Sequence, residues 1–397
     1  MRSAVIVDIV RTASGRGKPG GALSGHHPVD LLGTILAALV ERNGLDPAQV
    51  EDVITGCVSQ IGEQSLNIGR QAVLAAGWPE SVPATTVDRQ CGSSQQAAHF
   101  AAQGVLAGAY DIVVAAGVES MSRVPMGSSA DGQDPLGAAV RDRYADGLVN
   151  QGVSAELIAR RWDLDREELD RFAARSHQRA AEATAAGAFS SQIVPVAIIG
   201  ADGSAAVHEV DETIRASTTT EALAALPTSF DTDTMRERFP ELDWRITPGN
   251  SSPLTDGASA AVIMEERTAQ RLGLRPRARF HSFAVVGDDP LLMLTAPIPA
   301  SRRVLERAGL GIDDIDVYEV NEAFAPVPLA WAAELHADPD RLNPLGGAIA
   351  LGHPLGASGL RLMSTLLHQL EATGGRYGLQ TMCEGGGMAN ATIIERL

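Results

Sequence analysis

Short apolar runs alternate with longer segments of helical period along most of this chain. Residues 4–10 form a run interrupted only by Asp8. A helical stretch at 31–42 follows, then a second run at 53–57. A small-residue helix is predicted at 94–107, ending at Gly108, and a third run covers 112–117. Apolar runs alternating with helices read as βαβ units around a parallel sheet buried on both faces.

The pattern then repeats. In the first half the helix leads through Gly44-Leu45-Asp46 to the 53–57 strand, and in the second a helix at 302–308 leads through Gly309-Leu310-Gly311 to a strand at 317–321. The helix that follows Cys91 has a counterpart at 356–370, just after His353. A strand at 377–382 closes the second set as 112–117 closes the first. Two similar halves imply pseudo-two-fold symmetry, with chemistry where they meet.

Residues 122–251 break the pattern with a polar loop at 128–133 and a charged helix at 166–187. That length is too great for a plain connection, so it reads as a lid or subdomain. The expected division is 1–121 plus 252–275 for the first half, 122–251 for the insertion, and 276–397 for the second half.

Composition narrows the function classes. The chain has 397 residues, 45% hydrophobic and 20% charged, which suits a globular protein. Its net charge is 32 − 49 = −17, which argues against binding a nucleic-acid backbone. No run is long enough for a membrane span. The three cysteines, Cys57, Cys91 and Cys383, have neither disulfide nor zinc spacing. Reduced thiols and a cytoplasmic location are expected.

Cys91 lies in Arg89-Gln90-Cys91-Gly92-Ser93, at the start of a predicted helix. The dipole there favours the thiolate, although a lone cysteine fits a packed core equally well. His353, in Gly352-His353-Pro354, fits a base or a turn histidine. Cys383 ends an apolar run and precedes three glycines, whose amides could face a site. Asn321 and Glu322 close the 317–321 strand, at the end where α/β proteins place their sites; Asn321 could equally cap a helix. Cys57 is expected to be core.

Taken together, these residues resemble the thiolase family. Cys91-Gly92-Ser93, Asn321-Glu322-Ala323-Phe324, Gly352-His353-Pro354 and Cys383-Glu384-Gly385 match its four motif blocks in order and spacing. Residues 117–122, 256–258 and 393–396 add support, and residues 87–96 and 374–397 look like degradative thiolases of actinobacteria, some of which act on steroid-derived acyl-CoAs. The resemblance implies an α/β thiolase-like fold, with two αβαβα halves forming a five-layered core and a loop domain covering CoA.

It also implies roles. Cys91 would be the acyl-carrying nucleophile, His353 its activator, and Cys383 the acid/base. Asn321, holding a water, would stabilise the enolate with His353. The amides of Cys91 and Gly385 would form a second oxyanion hole. Ser252, Met293 and Phe324 match positions near pantetheine and the acyl pocket. CoA would be a co-substrate, with no metal or other cofactor, in a homodimer or homotetramer.

The expected reaction is CoA-dependent cleavage of 3-oxoacyl-CoA. Alternatives are acetoacetyl-CoA formation, a decarboxylating or hydroxymethylglutaryl-CoA-synthase-like condensation, and a non-catalytic acyl-CoA-binding relative. Leu345 stands where many thiolases have Asn and Ala296 where Gly is usual, so the acyl substrate stays open.

Overall fold

The elements form where local chemistry favours them. Pro28 opens the helix Pro28–Asn43, and Gly44 ends it in the left-handed conformation, at φ 57°. Asp165 and Glu168 form a capping box on the helix Arg166–Ala185. The computed structural model describes residues 2–200 and 203–397.

The strands are β1 (Ala4–Arg11), β2 (Gly15–Arg16), β3 (Asp52–Gly56), β4 (Ala84–Val87), β5 (Ile112–Ser120) and β6 (Val196–Ile199). They continue with β7 (Ala205–His208), β8 (Thr255–Glu265), β9 (Ala278–Gly287), β10 (Val317–Val320), β11 (Tyr377–Glu384) and β12 (Met388–Arg396). Strands β6 and β7 form a hairpin within the insertion.

The remaining strands run β10-β11-β12-β9-β1-β8-β5-β3-β4, with β2 beside β8. The first half thus has the spatial order third, second, fourth, fifth, first. The second half has the same order once the parallel bridge between Tyr318 and Leu342 takes the place of β4. The repeat read in the sequence is therefore a repeat of topology.

One feature differs from the sequence-based expectation, and a second was not foreseen by it. The sheet is mixed rather than parallel: β3–β4, β3–β5 and β10–β11 are parallel, and the other ladders antiparallel. The reason lies in the connections, since a three-glycine turn folds β12 straight back on β11. The two half-sheets also join edge to edge, through Val5 with Arg279 and Ile6 with Ala278.

The layers follow from side-chain alternation. Val5, Val7 and Val10 pack outward with the helices Pro28–Asn43 and Ile68–Ala75, while Ala4, Ile6 and Ile9 face a central layer. A bulge between Ile6 and Asp8 changes the alternation midway. The central layer is the pair of helices Ser93–Ala107 and Ser358–Thr373. On the far side of the second half-sheet lie the helices Pro297–Ala308 and Pro326–Leu335. This gives five layers, alternately helix and sheet.

Glycines let the halves approach closely. A Cβ on Gly359 would lie 2.2 Å from the Gln95 amide nitrogen, and one on Gly117 would lie 2.3 Å from the Gly356 carbonyl oxygen. Thr392 Oγ1 accepts from Gln95 Nε2 at 2.7 Å and lies 2.7 Å from His99 Nε2, linking the halves. No helix among the described residues is long and apolar enough to cross a membrane.

Candidate active site

The turn between β4 and the helix Ser93–Ala107 presents Cys91. Gln90 is held at φ 48°, an unusual conformation for a non-glycine residue. Its amide donates to Asp88 Oδ1 at 2.6 Å, and its carbonyl accepts from Ser93 Oγ at 2.6 Å. The turn is thus stapled from both sides. Cys91 is buried among Met121, Leu355, Leu362 and Met382.

The sequence left Cys91 open between a helix-activated thiolate and a packed core thiol, and burial favours the second. Burial, reinforced by Glu384, Glu119 and Asp88, pushes the thiol pKa up to about 12. The cysteine's own amide opposes the shift but does not outweigh it. Cys91 also precedes the helix N-cap Gly92, outside the first turn. The resting group is a thiol, and a base must take its proton.

His353 has the form such a base needs. Ser358 Oγ donates to the Pro354 carbonyl at 2.8 Å, so it accepts from His353 Nδ1–H at 2.6 Å. That leaves Nε2 with a free lone pair, which accepts from Asn321 Nδ2 at 3.3 Å. Burial, aided by the charge of Arg361, lowers the His353 pKa to about 3 and keeps the ring neutral. Its backbone amide donates to Thr255 Oγ1 at 2.7 Å, anchoring this second-half loop on the first half.

Asn321 is therefore a partner of His353. It caps no helix, because the next one begins at Pro326 with Ala325 at its N-cap. Asn343, at φ 44°, holds the segment in place: its Oδ1 accepts from the Val320 amide and its Nδ2 donates to the Val320 carbonyl, each at 2.9 Å. The Glu322 carboxylate accepts from Ser176 Oγ at 2.7 Å, Asn343 Nδ2 at 2.9 Å and the Ile349 amide at 3.2 Å. It ties the insertion to the second half.

Cys383 is buried at the end of β11, opposite Ala389. Burial and the nearby Cys91 raise its pKa well above the usual thiol range. The two sulfurs thus feel each other's charge, although nearly 300 residues separate them. Glu384 is pressed against Gly92, where a Cβ would strike its Oε1. Burial raises the Glu384 pKa well above the usual carboxyl range.

A cavity of about 650 Å³ opens from Cys91. Val58, Met126, Phe230, Phe324 and Leu355 supply apolar wall, and Gln90, Asn150 and Gln151 supply carboxamides. Both halves and the insertion contribute. Gly385 stands beside it, since a Cβ there would lie 3.0 Å from Gln90 Oε1. Phe324 is on the wall, but Ser252 and Met293 are not. The Ser252 amide donates to the Ala323 carbonyl at 3.0 Å, and Met293, at φ 51°, packs in the second-half core.

Sequence reasoning missed several residues. Glu119 accepts from the Val58 amide at 2.9 Å, the Ser59 amide at 3.1 Å, Gln64 Nε2 at 2.8 Å and the Gly356 amide at 2.9 Å, binding loops of both halves. Ser358, which sets the His353 tautomer, follows it by five positions and carries no sequence signal of that role. Cys57 is buried and free, as expected of a core cysteine.

Known proteins resemble this chain over its whole length. Residues 4–267 match the family model "Thiolase, N-terminal domain", and residues 274–396 match "Thiolase, C-terminal domain". A steroid 3-ketoacyl-CoA thiolase of Mycobacterium tuberculosis is 48% identical over 405 residues, covering 100% of this chain and 95% of the relative. A 3-ketoacyl-CoA thiolase of Serratia proteamaculans is 45% identical over the full length of both. The crystal structure of the Bacillus anthracis acetyl-CoA acetyltransferase superposes with a TM-score of 0.88 at 37% identity, covering 100% of this chain and 99% of the other. With both halves, the topology and the whole length in common, the chain belongs to the thiolase family.

Proposed function

We propose that the protein is a 3-oxoacyl-CoA thiolase, cleaving its substrate with CoA to acetyl-CoA and a shortened acyl-CoA. Two observations carry this reading: Cys91 and Cys383 are buried neighbours, and His353 is neutral with its Nε2 turned as an acceptor toward Asn321. Such a set suits a reaction that must form a thioester and stabilise a carbanion.

In the first step His353 takes the Cys91 proton and Sγ attacks the 3-keto carbon. The amides of Cys91 and Gly385 hold the tetrahedral oxygen. The C2–C3 bond then breaks and its electron pair becomes the enolate of acetyl-CoA. Nε2–H, now a donor, and Asn321 stabilise the enolate oxygen. Cys383 protonates the carbon, and acetyl-CoA leaves an acyl thioester on Cys91. In the second step Cys383 takes the proton of incoming CoA, the CoA thiolate attacks the acyl carbon, and Cys91 departs as thiolate to be reprotonated by His353.

The cavity's amides and apolar wall complement the amide-bearing pantetheine arm and an acyl chain, with the 122–251 insertion as the cover over CoA. CoA is the co-substrate, and no metal or redox cofactor takes part. The relatives named as 3-ketoacyl-CoA and steroid 3-ketoacyl-CoA thiolases support fatty or ring-derived acyl groups. A cytoplasmic homodimer or homotetramer is part of the same proposal.

The test is a thiolysis assay on acetoacetyl-, longer-chain and ring-derived 3-oxoacyl-CoAs. Acetyl-CoA should appear in equal amount to longer-chain or ring-derived substrate consumed and in twice the amount of acetoacetyl-CoA consumed, and Cys91→Ala should release none. Turnover of acetoacetyl-CoA alone would favour the acetyltransferase reading. Tight acyl-CoA binding without acetyl-CoA release on any substrate would overturn both.

A further inference from the structure

A second tier of charged residues stands behind His353, and the proposed reaction does not use it. Glu319 is on β10 and Asn321 directly follows its end, still paired through its amide to the Thr381 carbonyl, so the two-residue spacing puts them on one face. On the helix Ser358–Thr373, Arg361 follows Ser358 by three positions, so they share one stripe. Asn321 and Ser358 grip the two ring nitrogens of His353. Glu319 and Arg361 continue the same two elements one step deeper, 1% and 2% exposed.

Arg361 is unusual for a buried cation. None of its guanidinium nitrogens has a hydrogen-bond partner among the described residues, and Glu319 Oε1 has none either. Arg11, also buried, is neutralised by Asp211, whose oxygens accept from Nη1 at 2.7 Å and Nη2 at 2.9 Å. The charge of Arg361 has no such contact, so its field reaches further through a poorly screening interior. The groups facing it are Arg11 from β1, Asp211 from the segment after β7, and Glu319 and Glu322 from β10 and the residue run beyond it. Arg361 acts on His353 by charge, lowering its basicity. Glu322 is already held by Ser176, Asn343 and the Ile349 amide.

We propose that Arg361 and Glu319 are positioning residues for the base: a fixed cation and a titratable acid behind His353 that decide how readily its imidazole takes the proton of Cys91. The cation opposes imidazolium formation and holds the resting pair as neutral thiol and neutral imidazole. Ionised Glu319 offsets the cation and favours proton transfer. Burial raises the Glu319 pKa to about 8, so this offset grows as pH rises through that value.

The proposal rests on the reading of His353 as the base for Cys91. Its test needs no substrate, so the two can fail separately. The rate of iodoacetamide labelling of Cys91, read by peptide mass spectrometry from pH 6 to 10, reports thiolate formation. In Arg361→Met labelling should be about tenfold faster at fixed pH, the effect of raising the imidazole pKa by about one unit. Arg361→Lys keeps the charge and should stay near the parent. Glu319→Gln should act the opposite way, labelling more slowly above pH 8.

The sign is diagnostic. If Arg361 acted on the thiolate directly, its loss would slow labelling, and simple loosening of the core would speed it in all three variants. Either outcome would overturn the proposal, as would a shift from Arg361→Met that persists in a His353→Ala background. If Arg361→Met does not fold, Arg361→Lys and Glu319→Gln decide the matter by the same criteria.

Discussion

At the residue scale, the site depends on which proton sits where. Burial pushes the Cys91 thiol up to about 12 and the His353 imidazole down to about 3, so the resting pair is neutral and becomes reactive when the proton passes between them. His353→Ala should lower thiolysis by about 10²–10⁴-fold, the usual span for loss of a general base. Thiolysis kinetics check this, and the acyl-Cys91 mass adduct should fall with the rate. Ser358→Ala removes the acceptor that fixes Nδ1–H. It should lower kcat without changing KM, as expected when a base loses its productive tautomer. Equal kcat in Ser358→Ala and the parent would contradict the tautomer assignment. Cys91, His353, Cys383 and Asn321 were legible in the sequence because short motifs surround them. Ser358 and Glu119 were not, because their roles exist only through partners brought by folding.

At the scale of elements, the site is assembled by the contact between the two central helices. Gly359 lets the helix Ser358–Thr373 lie against Gln95, and the loop that carries His353 leads directly into that helix. Gly359→Ala should push the helices apart, costing about 1–3 kcal/mol, the typical cost of overpacking. Denaturant unfolding measures the loss, and activity should fall with it, because Cys91 and His353 stand on opposite sides of the joint. The repeated strand–helix pattern showed that two such helices exist. It could not show that β8, β9 and β12 run antiparallel to their neighbours, since strand direction is set by how each connection returns.

Across the whole molecule, buried titratable groups set the pH response. His99 and His353 are lowered to about 3 and His177 to about 4, against 6.5 when unfolded. For these groups the unfolded chain binds more protons below pH 6.5, so stability is lost as pH falls from there toward 3. Glu156 and Glu319 are raised to about 7 and 8, against 4.5 when unfolded. For these the folded chain binds more protons above pH 4.5, so stability is lost as pH rises toward 8. Above pH 6.5 the histidine contribution is complete, and the raised carboxyls, joined near pH 8.5 by the raised thiols, lower stability further. The urea midpoint at pH 6.5 should therefore exceed that at pH 8.5, and Glu319→Gln should narrow the difference. A higher midpoint at pH 8.5 would contradict this account.

The sequence by itself determined the alternation of strands and helices, the two-fold repeat, the interrupting insertion and the motif residues. These are written in local periodicity and composition, which need no distant partner. Only the tertiary structure decided that the half-sheets join at β1 and β9, that Cys91 is a buried thiol rather than a helix-activated thiolate, and that His353 offers Nε2. Each depends on groups far apart in the chain or on burial, and neither burial nor long-range neighbours can be read from a residue's local context.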